Sequence, residues 1–220
     1  LQTGKRHVKL ENIQSVGNYA LKLEFDDGHD TGIFSWNYLE TLGRDQKVLW
    51  NEYLQHNPKN PKWLNRDRFV LSNGHGSMLI YSILHLSGYD LGIEDIKNFR
   101  QLGSPCAGHP ELGDAAGIEM TTGPLGQGVG TSVGMAMAAK WKSARFDRDA
   151  SNLFNNDVYV LCSDGDLMEG IGCEAASVAG HLKLDNLCWI YDDNNITIEG
   201  ETDLAFTEDT ATKFQGLGWH

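Results

Sequence analysis

The sequence predicts an α/β fold with parallel strands, preceded by a small antiparallel β unit, and three observations carry that expectation. Asp157-Val158-Tyr159-Val160-Leu161-Cys162 is a short apolar, β-branched run that stops at Ser163-Asp164-Gly165-Asp166, which reads as a buried strand ending in a turn. Asn186 to Tyr191 reads as a second buried strand, ending in Asp192-Asp193-Asn194-Asn195. Between them Glu169 to Leu182, rich in Ala, Glu and small residues, reads as a helix. Strand, helix and strand make a βαβ unit whose two strand ends lie side by side. Finally, the opening residues alternate apolar and polar side chains with strong turn signals, the pattern of an antiparallel meander.

In chain order, Val8 to Ile13 and Ala20 to Phe25 are expected as strands, with Val16-Gly17-Asn18-Tyr19 between them. Asp26-Asp27-Gly28-His29 is a hairpin turn, and Thr31 to Trp36 supplies the next strand. Gly43 to Lys47 can finish this first module, while Val48 to Leu54 suits the start of a second, with no linker between. The domains are therefore placed at residues 1–45 and 46–220. Further on, Ser72-Asn73-Gly74-His75 leads into an apolar helix (Met78, Leu79, Ile83, Leu86) that ends near Gly88. His109 sits in a loop between Gly108 and Pro110, and Gly123 to Gly128 opens a Gly/Ala-rich helix running through Ala139.

Composition narrows the function classes. A chain of 220 residues suits one or two domains with a real core. Its net charge of −12 argues against nucleic acid or an anionic membrane as partner. No apolar run is long enough to span a bilayer, and there is no basic-then-apolar leader. Cys106, Cys162, Cys173 and Cys188 lack CxxC spacing and two fall in expected core strands, so free buried thiols in a reducing, cytoplasmic setting are expected.

The strand ends carry the chemistry, because ligands in such sheets sit outside the carboxyl ends of the strands. Asp164 and Asn194, 30 residues apart in sequence, can meet there. A carboxylate with an amide oxygen is a hard, incomplete ligand set, suited to Mg²⁺ that shares its other positions with phosphate oxygens and water. Gly165 lets the backbone approach a ligand closely, and a helix beginning near Met168 can offer N–H groups to a diphosphate. Taken singly, Asp-Gly and Asn-Asn are plain turns; their pairing at corresponding strand ends favours a site. His75 alone would read as a helix cap, and Gly123 to Gly128 as close helix packing or as N–H groups around phosphates. Glu169 and Glu174, five apart, share no helical stripe and by spacing alone are surface glutamates.

Residues 48–220 resemble the N-terminal, diphosphate-binding part of transketolase. The resemblance runs through Asn57-Pro58, Asn60-Pro61, Asp67 to Gly76, Gly108-His109-Pro110-Glu111, Thr121 to Gly128, the two strand ends and Gly218-Trp219-His220. It implies an incomplete parallel-sheet domain of the kind that binds the diphosphate of thiamine diphosphate, cut at both ends. Implied metal ligands for Mg²⁺ or Ca²⁺ are Asp164, Asn194 and Ile196. Implied cofactor-binding residues are His75, Gly123, Pro124, Leu125, Gly165, Asp166 and Asn194. His75 would contact the diphosphate or substrate and His109 an oxygen of the donor, while Glu169 and Glu174 would face a dimer interface and join a carboxylate network linking two cofactors. The family's motif begins Gly-Asp-Gly where this chain has Ser163, which serves unless the position needs a positive φ. Asp166 places an extra negative charge beside a diphosphate. The reaction implied is transfer of a two-carbon ketol unit between sugar phosphates, in a homodimer or with a chain carrying the pyrimidine-binding half.

Residues 1–45 resemble the short domain that precedes the catalytic part of gamma-butyrobetaine hydroxylase-like proteins. Gly4 to Val8, Val16 to Ala20, Phe25 to Gly32, Trp36 and Tyr38-Leu39 carry it. Some relatives hold zinc through a histidine at the place of His29, together with cysteines. This chain has no cysteine before Cys106, so His29 is expected as a turn residue. Two function classes follow: the metal–diphosphate half of a ketol-transferring site, or a catalytically inactive fusion or fragment acting only as a cofactor-binding or interaction module.

Overall fold

The computed structural model describes residues 10–16, 20–25, 33–35, 54–147, 153–194, 196–197 and 200–220, the first three segments and 196–197 as backbone alone. The expected turns at 17–19 and 26–29, His29 included, and the junction at 44–50 lie outside the described residues. The chain forms two compact units, residues 1–53 and 54–220.

In the first unit β1 (Leu10–Val16), β2 (Ala20–Phe25) and β3 (Ile33–Ser35) form an antiparallel sheet in the order β1-β2-β3. Val16, expected in the turn, closes β1 opposite Ala20, and a register shift lies between Leu10 and Asn12.

The second unit is built on a parallel sheet, order β4-β5-β6, from β4 (Arg68–Leu71), β5 (Val158–Ser163) and β6 (Leu187–Asp192). The register aligns Leu71 with Leu161 and Ser163 with Asp192, so all three strands end at one edge. Alternation along β5 buries Val158, Val160 and Cys162 on one face, where they join Val70 of β4. Against that face lies α3 (Gln127–Phe146), contributing Val129 and Ala136. The opposite face receives Leu71 into a second core with α1 (Ser77–Leu86) and the loops after it, including Tyr89, Leu91, Cys106 and Ile118. A five-residue helix, α2 (Ile93–Lys97), lies between those loops.

Several expectations are corrected by packing. The buried stripe of α1 is Ser77, Ile80, Tyr81 and Leu84, at the 3–4 spacing of a helix face, and Leu79 and Leu86 are exposed. The helix expected to end at Ala139 continues to Phe146 through good helix formers such as Lys140, Lys142, Ala144 and Arg145. The helix expected from Glu169 is two: α4 (Asp164–Met168) and α5 (Gly170–Leu182), with Glu169 extended between them at ψ 137. The first starts five residues earlier than expected because the Asp166 carboxylate reaches back to the Ser163 N–H at 3.1 Å, satisfying a donor at the helix entrance. β6 is only half-buried, since it is the edge of the sheet, and Cys188 and Ile190 face outward. Cys188 is thus an exposed thiol, whereas Cys162 and Cys106 are buried as expected.

After β6 come β7 (Ile196–Thr197) and β8 (Gly200–Glu201), a short antiparallel pair. The final helix, α6 (Thr210–Gly216), starts at Asp209, whose side chain accepts from the Thr212 N–H at 2.6 Å. It brings Phe214 and then Trp219 against Trp189 of β6; the Trp189 and Trp219 ring centroids are 4.8 Å apart. Among the described residues no helix is long and apolar enough to cross a membrane.

Candidate functional site

Three strand ends and one glycine-rich loop meet at the carboxyl edge of the parallel sheet, and a single carboxylate ties two of those ends to the loop. Asp166 is fully buried. Its Oδ1 accepts from Ser72 Oγ at 2.6 Å, after β4, and from the Gly126 N–H at 2.8 Å, before α3. Its Oδ2 accepts from the Ser163 N–H at the end of β5. Ser72 extends the clamp by accepting from the Val129 N–H at 3.1 Å. Asp166, expected as an extra negative charge beside a diphosphate, turns inward: three donors, two of them backbone N–H groups, engage the carboxylate. Ser163 is extended at φ −126, so nothing at that position calls for glycine.

The loop before α3 is held tightly on both sides. Gly126 has φ +81, a conformation that glycine adopts without strain. A methyl group on Gly165 would lie 2.6 Å from Leu125 Cδ1, so Leu125 occupies the space that the missing side chain leaves. The close approach expected at Gly165 is thus, in this structure, an approach of Leu125. One on Gly123 would lie 3.7 Å from the His109 ring, which places His109 over the start of the loop. The His109 segment is itself anchored from α1, with Ser77 Oγ donating to the Gly108 carbonyl at 2.8 Å and Tyr81 Oη to the Ala107 carbonyl at 2.9 Å. Burial, then the Arg100 and His75 charges, hold the His109 imidazole below the ordinary histidine value. It is neutral at neutral pH, with one ring nitrogen to donate and one to accept.

At the metal end, Asp164 is buried and accepts a hydrogen bond at Oδ1 from the phenol of Tyr191, which also lies 3.3 Å from Asp193 Oδ1. Burial, then the Asp164 contact, raise the Tyr191 phenol, so it stays a proton donor. The parallel register pairs Ser163 with Asp192 just before the two turns, and the Tyr191 phenol spans Asp164 and Asp193; the Asn194 amide donates to Asp192 Oδ2 at 3.3 Å. Ile196 lies in β7, immediately after this turn. Beneath lies a cleft of about 760 Å³, lined among others by Asp164, Tyr191, Asp193, Trp189, Phe214 and Trp219. It reaches the β5 and β6 ends and does not extend to His75 or His109.

The structure thus gathers His75, His109, Gly123, Leu125, Gly165, Asp164 and Asn194 along one edge. Glu169 caps α5, with its Cβ side against Gly126, and is exposed; Glu174 stands in the next turn, also exposed. Pro124 is exposed at the loop's outer side. Four residues missed as site members are Ser72, Asn73, Thr122 and Tyr191. The first three lie inside motifs already singled out, as polar residues beside glycines, and Tyr191 directly precedes the acidic turn.

Two of these bear on what the edge accepts. Asn73 Oδ1 and Thr122 Oγ1 are buried and have no hydrogen-bond partner among the described residues. Buried polar atoms are ordinarily paired, so a polar ligand at this edge fits them. The donor set of carboxylate and amide oxygens likewise fits a hard divalent cation bridging to phosphate. The residues present therefore fit a metal–diphosphate group.

Residues 41–220 match the family described as "Transketolase, thiamine diphosphate binding domain", and residues 1–40 match "Gamma-butyrobetaine hydroxylase-like, N-terminal". Among curated proteins, the chain is 57% identical over 172 residues to a transketolase of Geobacillus stearothermophilus, covering 78% of this chain and 26% of that protein. It is 56% identical over 174 residues to transketolase 1 of Escherichia coli, covering 79% and 26%. Among solved structures, transketolase from Leishmania mexicana superposes with a TM-score of 0.76 at 50% identity, covering 79% of this chain and 26% of that one. Transketolase from Pichia stipitis in complex with sedoheptulose 7-phosphate superposes with the same TM-score at 49% identity, covering 82% and 26%. The chain therefore spans about a quarter of the length of the relatives it matches.

Proposed function

Given that the chain belongs to the transketolase thiamine-diphosphate-binding family, we propose that residues 54–220 supply the metal–diphosphate half of a site for transferring a two-carbon ketol unit between sugar phosphates. The observation that carries this reading is the convergence of the β4, β5 and β6 ends on one edge, where Asp166 clamps the β4 and β5 ends to the loop that opens α3.

In this reading Asp164, the Asn194 side chain and the Ile196 main chain hold Mg²⁺ or Ca²⁺. His75, Gly123, Leu125 and Gly165 surround the diphosphate, Asn73 and Thr122 gain the partners they lack, and Pro124 stiffens the loop. Asp166 acts as the internal strut that fixes the spacing of these groups. Thiamine diphosphate, when bound, supplies the carbon at which a ketol C–C bond is broken and remade. His109, neutral and facing Gly123, receives or gives a hydrogen bond at the donor's hydroxyl or carbonyl oxygen.

A second copy, or a chain carrying the pyrimidine-binding half, covers the exposed apolar side of α3 and α5. Met137 and Trp141 of α3 and Ile171, Val178 and Leu182 of α5 are exposed apolar residues, of the kind such a partner covers. Glu169 and Glu174 lie on the same stretch and would face that partner.

Calorimetric titration of the 220-residue chain with thiamine diphosphate tests the reading. Binding is expected with saturating Mg²⁺ and not in excess EDTA, and Asp164→Ala is expected to abolish it. Asn194→Ala should weaken it by about 1–3 kcal/mol, the scale for one lost polar partner in a buried setting. Equal affinity with and without EDTA would remove the metal from the proposal, and no binding under either condition would remove the proposal itself. Metal-dependent binding without any ketol transfer when the second half is added would favour the alternative, a cofactor-binding module.

A further inference from the structure

Arg100, in the loop after α2, stands in the left-handed region at φ +62, a costly conformation for a residue with a side chain and one that its surroundings must fix. Its N–H donates to the Cys106 carbonyl at 2.9 Å, closing the loop onto the segment that carries His109. A methyl group on Gly108 would lie 2.9 Å from both Cζ and Nη1 of Arg100, so the missing side chain is what seats the guanidinium there. The Phe99 ring flanks it, its centroid 5.2 Å from Cζ, and meets Tyr81 edge-on. Among the described residues no carboxylate pairs with Arg100. Its Nη2 reaches only the Gly108 carbonyl, at 3.5 Å, an oxygen that Ser77 already holds. The guanidinium is thus seated by packing, one residue from His109, with its charge unneutralised.

We propose that Arg100 is a positioning residue that acts through His109: its seat on Gly108 keeps a fixed positive charge beside the imidazole. The inference rests on the reading of His109 as the group at the donor's oxygen and adds what governs its proton. The charges acting on the imidazole are Arg100 and, from the turn before α1, His75. Glu111, two residues on, is exposed, and residues 121–126 bring no charged side chain. A neighbouring cation disfavours the imidazolium form. His109 thereby keeps one nitrogen that accepts from a hydroxyl and one that donates to a carbonyl oxygen, where an imidazolium could only donate.

NMR titration of the histidine ring signals tests this on the intact 220-residue chain, with His56 as internal reference because burial alone lowers it. Arg100→Gln removes the charge and is expected to move the His109 midpoint up relative to His56. Arg100→Lys keeps the charge without the planar fork and is expected to return the midpoint most of the way to the parent's. A midpoint that stays or falls in Arg100→Gln would overturn the inference. Equal rises in the two variants would do the same, because loosened packing would then account for both. Calorimetry on the parent chain separates this from the reading beneath it: an unmoved midpoint beside metal-dependent thiamine diphosphate binding removes this inference alone, whereas absent binding removes that reading.

Discussion

Replacing Asp166 by Asn tests the central strut most directly. The side chain keeps its volume, so packing is preserved and the change is confined to three hydrogen bonds. At the Oδ1 position an amide oxygen can still accept from Ser72 Oγ and the Gly126 N–H, now 2.6 and 2.8 Å away. Those bonds lose the benefit of an ionised acceptor, of the order of 0.5–1 kcal/mol each. At the Oδ2 position an NH₂ group would point at the Ser163 N–H, leaving two donors face to face in a buried site. An unsatisfied buried donor costs about 1–3 kcal/mol. The total is about 2–5 kcal/mol, a large part of the roughly 5–15 kcal/mol that holds a domain folded. Urea unfolding followed by far-UV circular dichroism measures it. Flipping the amide exchanges the problem, because the NH₂ would then oppose Ser72 and Gly126. An Asp166→Asn chain within about 0.5 kcal/mol of the parent would refute the strut, since neither orientation satisfies all three donors.

Two further outcomes follow from the same groups. Burial holds His56 below the ordinary histidine value of 6.5, and burial with the Arg100 and His75 charges does the same for His109. A histidine whose folded-state value is lowered gives stability that is present above 6.5 and lost as pH falls through the lowered value. Both imidazoles should titrate below pH 6.5 by NMR, with stability declining across that acidic window, and either one titrating higher would contradict the burial described. The 220-residue chain by itself, with thiamine diphosphate and Mg²⁺ saturating, should show no ketol transfer from xylulose 5-phosphate to ribose 5-phosphate in a coupled assay. In the proposed reading the groups at this edge serve a metal and a diphosphate, and chemistry at the reactive carbon needs a preorganised, water-free enclosure completed from elsewhere. Turnover that disappears in His109→Ala would show that the enclosure is already complete.

The βαβ unit was legible because its two strands are apolar runs that stop at acid–amide turns, and the observed register brings those turns to one edge. The glycine-rich loop was legible as the opening of a helix, because a run of small, helix-compatible residues follows it. Asp166 was not, because its meaning lies in partners 94 and 40 residues away, which charge and spacing do not announce. The same holds for β6: an apolar strand looks buried in sequence, but burial depends on what lies beside it, and here Ile190 and Cys188 look outward. On α1 the apolar residues that catch the eye, Leu79 and Leu86, are the exposed ones, while Ser77 is buried because its hydroxyl holds the Gly108 carbonyl. Tyr191 escaped notice because a tyrosine at the end of a strand looks like packing until its hydroxyl is seen on Asp164.

The aromatic group closing the unit has an optical consequence. The indoles of Trp189 and Trp219 are 4.8 Å apart and inclined by 47°, with the Phe214 ring 5.8 Å from Trp189. Two identical chromophores at that separation and tilt share their excitation, so the pair should produce a paired positive and negative band in the ultraviolet that neither ring produces alone. The same rings line the cleft that reaches Asp164 and Asp193. A divalent ion or a diphosphate arriving there alters the electric field at the indoles, and any loosening of α6 pulls them apart. The first would shift the paired bands and the second would collapse them, giving a label-free signal that tells ligand arrival from helix detachment.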